Sequence, residues 1–264
     1  MLFRSLSNGV ALAQDGVINN LPATGNDQTD RSIPNNIRLD GDVTFGSLGQ
    51  ANHLGGNIDL NGGTSRTITL GNTTYLYGGV TNGGQLIIDN GTGTGSRTFG
   101  IFSAGNYTAG TVVRTNAALA VGHDQALGGG DLVFTNTAGS GTAILRAATL
   151  STNANQVRTI TNNIQVATGS VVVLDAVTSA QDSIGTNIPV ALNMVLSGNI
   201  SGGGGLTKSN NNTVTLSGNN SYTGPTAIVN GTLVVVTNNI SASITSNTIA
   251  VTFSNTPEIG RAHV

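Results

Sequence analysis

The chain is built from short runs of strand-forming residues, and Gly or Asn separates most runs from the next. Thr213–Leu216 alternates polar and apolar residues, so Val214 and Leu216 are predicted to face one side of a strand. Segments 226–229 and 232–236 are rich in β-branched residues and bounded by Gly and Asn. Each run is too short to bury its own apolar face, but strands stacked at ~4.8 Å spacing share a core. The pattern therefore predicts a solenoid.

Further runs of the same kind extend this pattern over most of the chain. Gly-Gly, Asn-Gly and Asp-Gly pairs punctuate them, and no segment has a helical apolar stripe longer than about two turns. Segment 190–196 comes nearest to a helix, and its Val and Ile neighbours favour a strand. The additional predicted strands are 58–60, 66–70, 85–88, 132–134, 143–145 and 170–174.

Composition narrows the class of protein and of partner. Charged residues make up 8% and aromatic residues 4% of the 264 residues, while 38 are Gly, which suits many short strands and turns rather than disorder or a large aromatic core. A net charge of −2 and a single Lys, Lys208, predict no nucleic-acid partner. Cys is absent from the sequence, which removes disulfides, thiolate metal sites and Cys nucleophiles. No apolar run of about 18 residues is present.

Residues 200–235 carry a resemblance to a known family. A Gly-rich turn at 200–205 precedes Leu206-Thr-Lys208, the strand Thr213–Leu216, a Tyr-Thr-Gly turn at 222–224 and Gly231-Thr-Leu-Val-Val235. In order and spacing, these elements resemble the autotransporter-associated β-strand repeat, also called the passenger-associated transport repeat. Asn residues at 210–212 replace the Gly pair usual after Leu-Thr-Lys, which preserves turn chemistry.

The resemblance implies a fold, a location and a role. The implied fold is all-β, a right-handed parallel β-helix that is incomplete at both ends, with about ten coils and a length of about 50 Å at ~4.8 Å per coil. The implied role is that of a structural stalk on a bacterial cell surface or in a secreted autotransporter-like protein, which displays or spaces an adhesive region without catalysis. A C-terminal outer-membrane β-barrel translocator is the implied partner in the full-length chain, with surface glycans or proteins as possible ligands. No cofactor is implied.

Internal similarity predicts two long modules within a β-helix passenger at 31–257. Segment 31–39 resembles 158–166, segment 80–86 resembles 200–206, and segment 106–113 resembles the stretch around Tyr222. The three matches occur in the same order, so we predict one module at about 31–115 and a second at 158–236.

The two ends are predicted to differ from this repeat region. Residues 1–30 form an irregular segment or a truncated coil, and an Ala-x-Ala at 11–13 lacks the apolar stretch of a signal peptide. Residues 258–264 resemble the translation of a sequencing adapter and are interpreted as an artefact. We therefore expect the chain to be an interior fragment of a longer protein.

Several local patterns resemble functional motifs but favour simpler interpretations. Leu-Pro-Ala-Thr-Gly at 21–25 lacks the apolar span and basic tail that follow a sorting signal. The Gly runs at 128–130 and 202–205 are interpreted as turns, because a phosphate loop needs Lys directly after its last Gly and a helix beyond. The first run, followed by Asp131, resembles part of a calcium-binding Gly-Asp repeat. It supplies a single Asp, whereas calcium needs six or more oxygen ligands, so a calcium site is not favoured.

Carboxylates and tyrosines define the alternative function, an extracellular β-helical protein that binds or cleaves glycans. Catalysis would need two or three carboxylates on one face, and Asp40 and Asp42, two residues apart, are expected to share a strand face. Tyr75 and Tyr77 are also expected to share a face and could offer a small sugar platform, but ordinary strand packing is the favoured explanation. We predict no catalytic, cofactor-binding or metal-binding residue. The remaining candidates considered were Asp59, Asp89, His123, Asp124, Tyr107 and Tyr222.

Overall fold

A computed structural model describes residues 31–46, 51–63, 65–91, 95–135, 141–150, 156–176 and 192–236, together with the backbone of short strands at 4–6, 9–12, 16–18, 180–181, 187–188, 244–246 and 251–253. Every described element is a β-strand, and nearly all neighbouring strands run parallel. The motif at 21–25 and the segment 258–264 lie outside the described residues.

Ten parallel strands stack in the longest sheet, here called the long sheet. Each strand contributes three to seven residues before a corner turns the chain. In stacking order, the strands are Arg31–Ile33, Asn52–Leu54, Thr74–Leu76, Arg97–Ile101, Ala117–Val121, Gly141–Ala147, Ser170–Ala176, Gly205–Ser209, Thr226–Ile228 and Ile244–Ser246.

A second sheet of eight strands, the eight-strand sheet, precedes the long sheet in each coil that contains it. Its strands are parallel and come from successive coils. They are Gly16–Ile18, Val43–Phe45, Arg66–Leu70, Leu86–Asp89, Thr111–Arg114, Leu132–Thr135, Ile164–Val166 and Ile200–Ser201.

The third face, the side face, holds two five-stranded sheets that follow the long sheet in each coil. Between them it continues without strand: the Asn106 N–H donates to the Val80 carbonyl at 3.0 Å, and the Thr159 N–H donates to Asp124 Oδ1 at 3.1 Å. The first sheet comprises Arg4–Leu6, Gly9–Leu12, Asn36–Leu39, Ile58–Asp59 and Val80–Thr81, and the second Gln156–Ile160, Leu192–Leu196, Thr213–Leu216, Thr232–Val235 and Val251–Phe253. A further antiparallel pair joins Ala180–Gln181 to Asn187–Ile188.

The chain thus passes from the long sheet to the side face, then to the eight-strand sheet, and back to the long sheet one level up. Thr74 pairs with Asn52, so this coil contains 74 − 52 = 22 residues. Stacked three-faced coils of parallel strands are a parallel β-helix, which confirms the predicted all-β solenoid. The strands predicted at 58–60, 66–70, 85–88, 132–134, 143–145, 170–174 and 190–196 are all present with small shifts at their ends.

The core runs along the axis as rows of inward-facing aliphatic side chains. Leu76, Ile101 and Val121 are paired in consecutive coils of the long sheet and are fully buried. Alternation explains the rows, because every second residue of a strand points inward and the same position recurs in the next coil. Each coil is too small to bury this surface alone, so the stack is the folding unit.

Candidate functional site

Four aromatic and imidazole rings cluster on the outside of the long sheet, at the second to fourth of its strands. This outer aromatic cluster consists of His53, Tyr75, Tyr77 and Phe102. His53 pairs with Tyr75 in register, and Tyr75 lies between the inward-facing Thr74 and Leu76. Tyr75 and Tyr77 do share a face, as the sequence predicted.

The rings of this cluster pack on one another. Tyr77 is stacked between His53, with ring centroids 5.7 Å apart, and Phe102, at 5.6 Å. The Tyr77 hydroxyl and His53 Nδ1 are hydrogen-bonded at 2.7 Å. Tyr75 is tilted against His53 and Phe102 at 5.4 and 6.0 Å. Because neighbouring rings cover both faces of Tyr77, the stack presents ring edges, and the geometry favours strand packing over a sugar platform.

Glycines in the neighbouring coils make room for these rings. A Cβ added to Gly122 would lie 2.3 Å from Phe102, and one added to Gly100 would lie 2.9 Å from both Tyr75 and Phe102. The rings therefore cover backbone that has no side chain of its own. Each such aromatic pair is worth ~0.5–1.5 kcal/mol beyond the area it buries, so the ring pairs join three successive coils from outside.

The candidate carboxylates all serve as local hydrogen-bond acceptors. Asp40 and Asp42 follow the strand that ends at Leu39 and precede the one that begins at Val43. The prediction that they share a strand face is wrong, because the chain turns a corner there. Asp40 accepts hydrogen bonds from Arg38 and Asn61, and Asp42 accepts from the Thr67 N–H at 2.7 Å.

Asp59, Asp89 and Asp124 are used in the same way. Asp59 accepts from the Asn61 N–H at 2.7 Å and from Asn82 Nδ2 at 2.9 Å. Asp89 pairs with Arg114 at 2.7 Å, and Asp124 pairs with Arg158 at 2.7 Å.

The other candidate side chains are also hydrogen-bonded to nearby groups. The neighbouring His123 accepts from the Gln125 N–H at 3.1 Å. Asp131 accepts from Asn163 at 3.4 Å. Within the described residues no group of three His, Cys, Asp or Glu side chains is placed to hold a metal ion.

Tyr107 and Tyr222 form the same buried corner in different coils. The Tyr107 hydroxyl is 2.5 Å from Thr111 Oγ1, and the Tyr222 hydroxyl is 2.6 Å from Thr226 Oγ1, four residues on in each case. All four side chains are at most 1% exposed. Burial raises the pKa of both tyrosines, and the hydrogen bond to Thr partly offsets this effect. We call this arrangement the Tyr–Thr corner.

Asparagine rows connect successive coils at other corners. The Asn57 N–H donates to Asn36 Oδ1 at 2.8 Å, and the Gly79 N–H donates to Asn57 Oδ1 at 2.8 Å. A second row joins Asn163, Asn199 and Asn219 in the same way, at 3.1 and 2.8 Å. Asn side chains therefore supply polar contacts between the turns of successive coils.

A glycine precedes the Asn in several rungs of these rows. A Cβ on Gly218 would lie 2.0 Å from the Gly198 carbonyl oxygen, and one on Gly198 would lie 2.0 Å from that of Asn162. Contacts so short exclude a side chain. The Gly-Asn dipeptide thus combines close backbone approach with a side-chain hydrogen bond to the next coil.

Lys208 occupies an inward position, paired with Leu174 in one neighbouring coil and Ile228 in the other. It is fully buried, and its Nζ donates to the carbonyl oxygens of Ser209, of Asn210 at 2.6 Å and of Asn230 at 3.1 Å. Burial lowers the pKa of Lys208 to about 8, partly offset by the charge of Asp175. Sequence reasoning gave Lys208 no structural role. Its place two residues after Leu206 on one strand was the signal that it would face inward.

The segment from Leu206 to Val235 contains Lys208, the Tyr–Thr corner of Tyr222 and the Asn219 bond of the second Asn row. Residues 206–235 match the family model of the passenger-associated transport repeat. The resemblance drawn from the sequence is therefore confirmed over this segment. No curated protein and no solved structure matches the chain. In the part of the chain that the structure describes, no helix is long and apolar enough to cross a membrane.

The transport repeat fits the solenoid as a unit of more than one coil. It starts in a long-sheet strand, Gly205–Ser209, passes through the side face at Thr213–Leu216, returns to the long sheet at Thr226–Ile228, and ends on the side face at Thr232–Val235. Each strand of the repeat pairs in parallel with its counterpart one coil later. The match, together with the all-β fold, points to an autotransporter passenger region with a structural role.

Proposed function

We propose that the chain is a segment of the stalk of a bacterial autotransporter-like passenger, which spaces or displays an adhesive region at the cell surface or in secreted form. The observation that supports this most directly is the continuity of the long sheet, whose ten parallel strands stack from Arg31 to Ser246 around a transport repeat. At ~4.8 Å per coil the stack is about 50 Å long. We infer that a rod of this length acts as a spacer rather than as a site of catalysis.

The polar groups support a mechanical role. The candidate carboxylates accept hydrogen bonds within or between coils, and the Asn rows join coil to coil. The outer aromatic cluster covers glycine backbone with ring faces turned toward each other. These groups hold neighbouring coils in register, as a rod requires. The glycan-binding alternative gains no support from the packing of Tyr77.

The proposal is tested by removing coils in and out of phase. Asn52 pairs with Thr74, and Thr74 pairs with Phe99, so deletion of residues 52–98 removes two whole coils and leaves Phe99 at the position of Asn52. The matched control deletes residues 52–85, which brings Leu86 of the eight-strand sheet to a long-sheet position. Both deletions remove His53, Tyr75 and Tyr77.

The two deletions are compared in solution and on cells. For a stalk, the in-phase deletion keeps the β-type circular dichroism signal and shortens the longest dimension in small-angle X-ray scattering by about 10 Å, whereas the out-of-phase deletion unfolds. With the chain fused to a β-barrel translocator, an N-terminal epitope stays accessible on intact cells only in the in-phase variant. A compact particle of unchanged length, or equal tolerance of both deletions, would refute the proposal.

A further inference from the structure

One dipeptide of the transport repeat, Asn230-Gly231, is arranged for a reaction within its own backbone. The Gly231 N–H lies 2.9 Å from Oδ1 of Asn230, the residue directly before it. The side-chain amide is therefore folded back onto the backbone nitrogen that can attack it. Reacting groups held this close need little further ordering, which is the main advantage of an intramolecular reaction.

Lys208 acts on the same peptide group. Its Nζ donates to the Asn230 carbonyl oxygen at 3.1 Å, and a Cβ added to Gly231 would lie 2.7 Å from Nζ. A cationic donor on a peptide carbonyl makes the N–H of that peptide more acidic. The buried ammonium thereby stabilises the negative charge that develops on this peptide group when its N–H loses the proton.

We propose that Asn230 is a self-modification site, at which Gly231 converts the Asn230 side chain to a cyclic imide and then to aspartate or isoaspartate. A solvent base takes the Gly231 amide proton, and the nitrogen forms a bond to Asn230 Cγ. The Cγ–Nδ2 bond then breaks, and Nδ2 takes up a proton from the conjugate acid of that base and leaves as ammonia. Water then opens the imide, so no oxidant or reductant is needed. Asn230 is exposed, which admits the water.

Other Asn-Gly pairs in the chain serve as internal controls. The sequence contains five such pairs, and in the pair at 8–9 the Asn lies outside the described residues. In the remaining three, the Asn side chain binds a different partner. Asn61 Nδ2 donates to Asp40 and Asn82 Nδ2 donates to Asp59, each at 2.9 Å. Asn90 Nδ2 donates to the Gly95 carbonyl at 2.7 Å.

The backbone N–H groups of two of these pairs are also engaged elsewhere. The Gly62 N–H donates to the Asn82 carbonyl at 3.0 Å, and the Gly91 N–H donates to Asp89 Oδ1 at 2.8 Å. Attack at Asn61 or Asn90 would first have to break these bonds. The four pairs share the same dipeptide chemistry, so a difference in their rates in the folded chain reports on the structure.

The experiment follows all four pairs by peptide mapping of the folded chain during incubation in H₂¹⁸O at neutral pH, where Lys208 is charged because its pKa is about 8. Conversion adds about 1 Da in ordinary water, with a further shift from the heavy oxygen. We expect Asn230 to convert first, and faster in the folded chain than in the same chain unfolded in urea. In urea the four rates should become similar. The Asn230→Ser variant should lose only the signal at that position.

The role of Lys208 is tested with Lys208→Met, with Lys208→Arg as the variant that keeps the charge. We expect Lys208→Met to slow conversion at Asn230 at least about tenfold, as loss of an electrostatic donor does, and to leave Asn82 unchanged. If Lys208→Met does not fold, the comparison of folded and unfolded wild-type chain still decides the proposal. Asn230 that converts no faster than Asn61, Asn82 and Asn90 in the folded chain, or faster in urea, would overturn it.

Discussion

Removing the Tyr222 hydroxyl tests whether the Tyr–Thr corner holds successive faces of the coil together. Tyr222 and Thr226 are both fully buried, and their hydroxyl oxygens are 2.6 Å apart. Tyr222→Phe keeps the ring and its packing but leaves the Thr226 hydroxyl buried without this partner. Such a loss costs about 1–3 kcal/mol of the free energy of unfolding, and at about 1.4 kcal/mol the folded-to-unfolded ratio falls tenfold.

A double-mutant cycle separates this hydrogen bond from other effects of the substitutions. Thr226→Val likewise leaves the Tyr222 hydroxyl without this partner. The double variant removes both polar groups and should change the free energy of unfolding little. We therefore expect each single variant to lose about 1–3 kcal/mol and the double variant to lose clearly less than their sum. Tyr107→Phe with Thr111→Val repeats the cycle at the other corner.

The assay is urea unfolding followed by far-ultraviolet circular dichroism. Native-state hydrogen exchange replaces it if the solenoid unfolds in more than one step, because repeat proteins can lose coils separately. Thr223→Val is the control, since Thr223 is exposed one residue after Tyr222 and a surface change of this kind stays within about 0.5 kcal/mol. Strictly additive single effects at both corners would refute the reasoning, because they would mean that the two hydroxyls do not stabilise one another.

Three further perturbations test other parts of the rod. Leu216→Ala, at a fully buried inward position, should cost about 2–4 kcal/mol in urea unfolding, and an effect below about 1 kcal/mol would contradict the core assignment. Gly122→Val should displace Phe102, because its Cβ would lie 2.3 Å from that ring; aromatic near-ultraviolet circular dichroism should change, and an unchanged spectrum with unchanged stability would contradict the ring stack. The urea concentration at the midpoint of unfolding should increase as the pH is raised from about 8 to about 10. Burial lowers the pKa of Lys208 from 10.5 to about 8, so in this pH range the unfolded state binds a proton that the folded state does not. Above about pH 10 the midpoints should fall, because the pKa of Tyr107 and Tyr222 is raised and only the unfolded tyrosines ionise there. Lys208→Met should remove the rise, and the paired Tyr→Phe variants should reduce the fall.

The strands and the solenoid class were predictable because their signals are local. Alternation in Thr213–Leu216 places Val214 and Leu216 inward, and the structure buries both. Gly and Asn mark the corners because few other residues adopt a left-handed backbone, as Asn61, Asn82, Asn116 and Asn210 do here. The family match at 206–235 rests on the same local order of turn and strand.

Contacts between coils were not predictable, because they depend on the number of residues in each coil. The coil from Asn52 to Thr74 differs in length from the one between Gly141 and Ser170, which are paired 29 residues apart. Such variation decides that Gly122 lies under Phe102 and that Asp40 meets Asn61. The inward Lys208 was missed for a different reason. Charge predicts exposure, but three carbonyl oxygens of the adjacent corners satisfy its ammonium.

The two Tyr–Thr corners have the same local geometry but lie on different faces of the coil. Tyr107 precedes Thr111–Arg114 in the eight-strand sheet, whereas Tyr222 precedes Thr226–Ile228 in the long sheet. The same corner therefore occurs on different faces of the rod. The division into modules at 31–115 and 158–236 stays a prediction, but similar segments in it share this offset: Asn36 starts a side-face strand, and Asn163 directly precedes an eight-strand-sheet strand. Because a coil has three faces, an offset of one face is a third of a turn. A local motif thus specifies a corner, while the lengths of the coils between two copies decide which way each copy points.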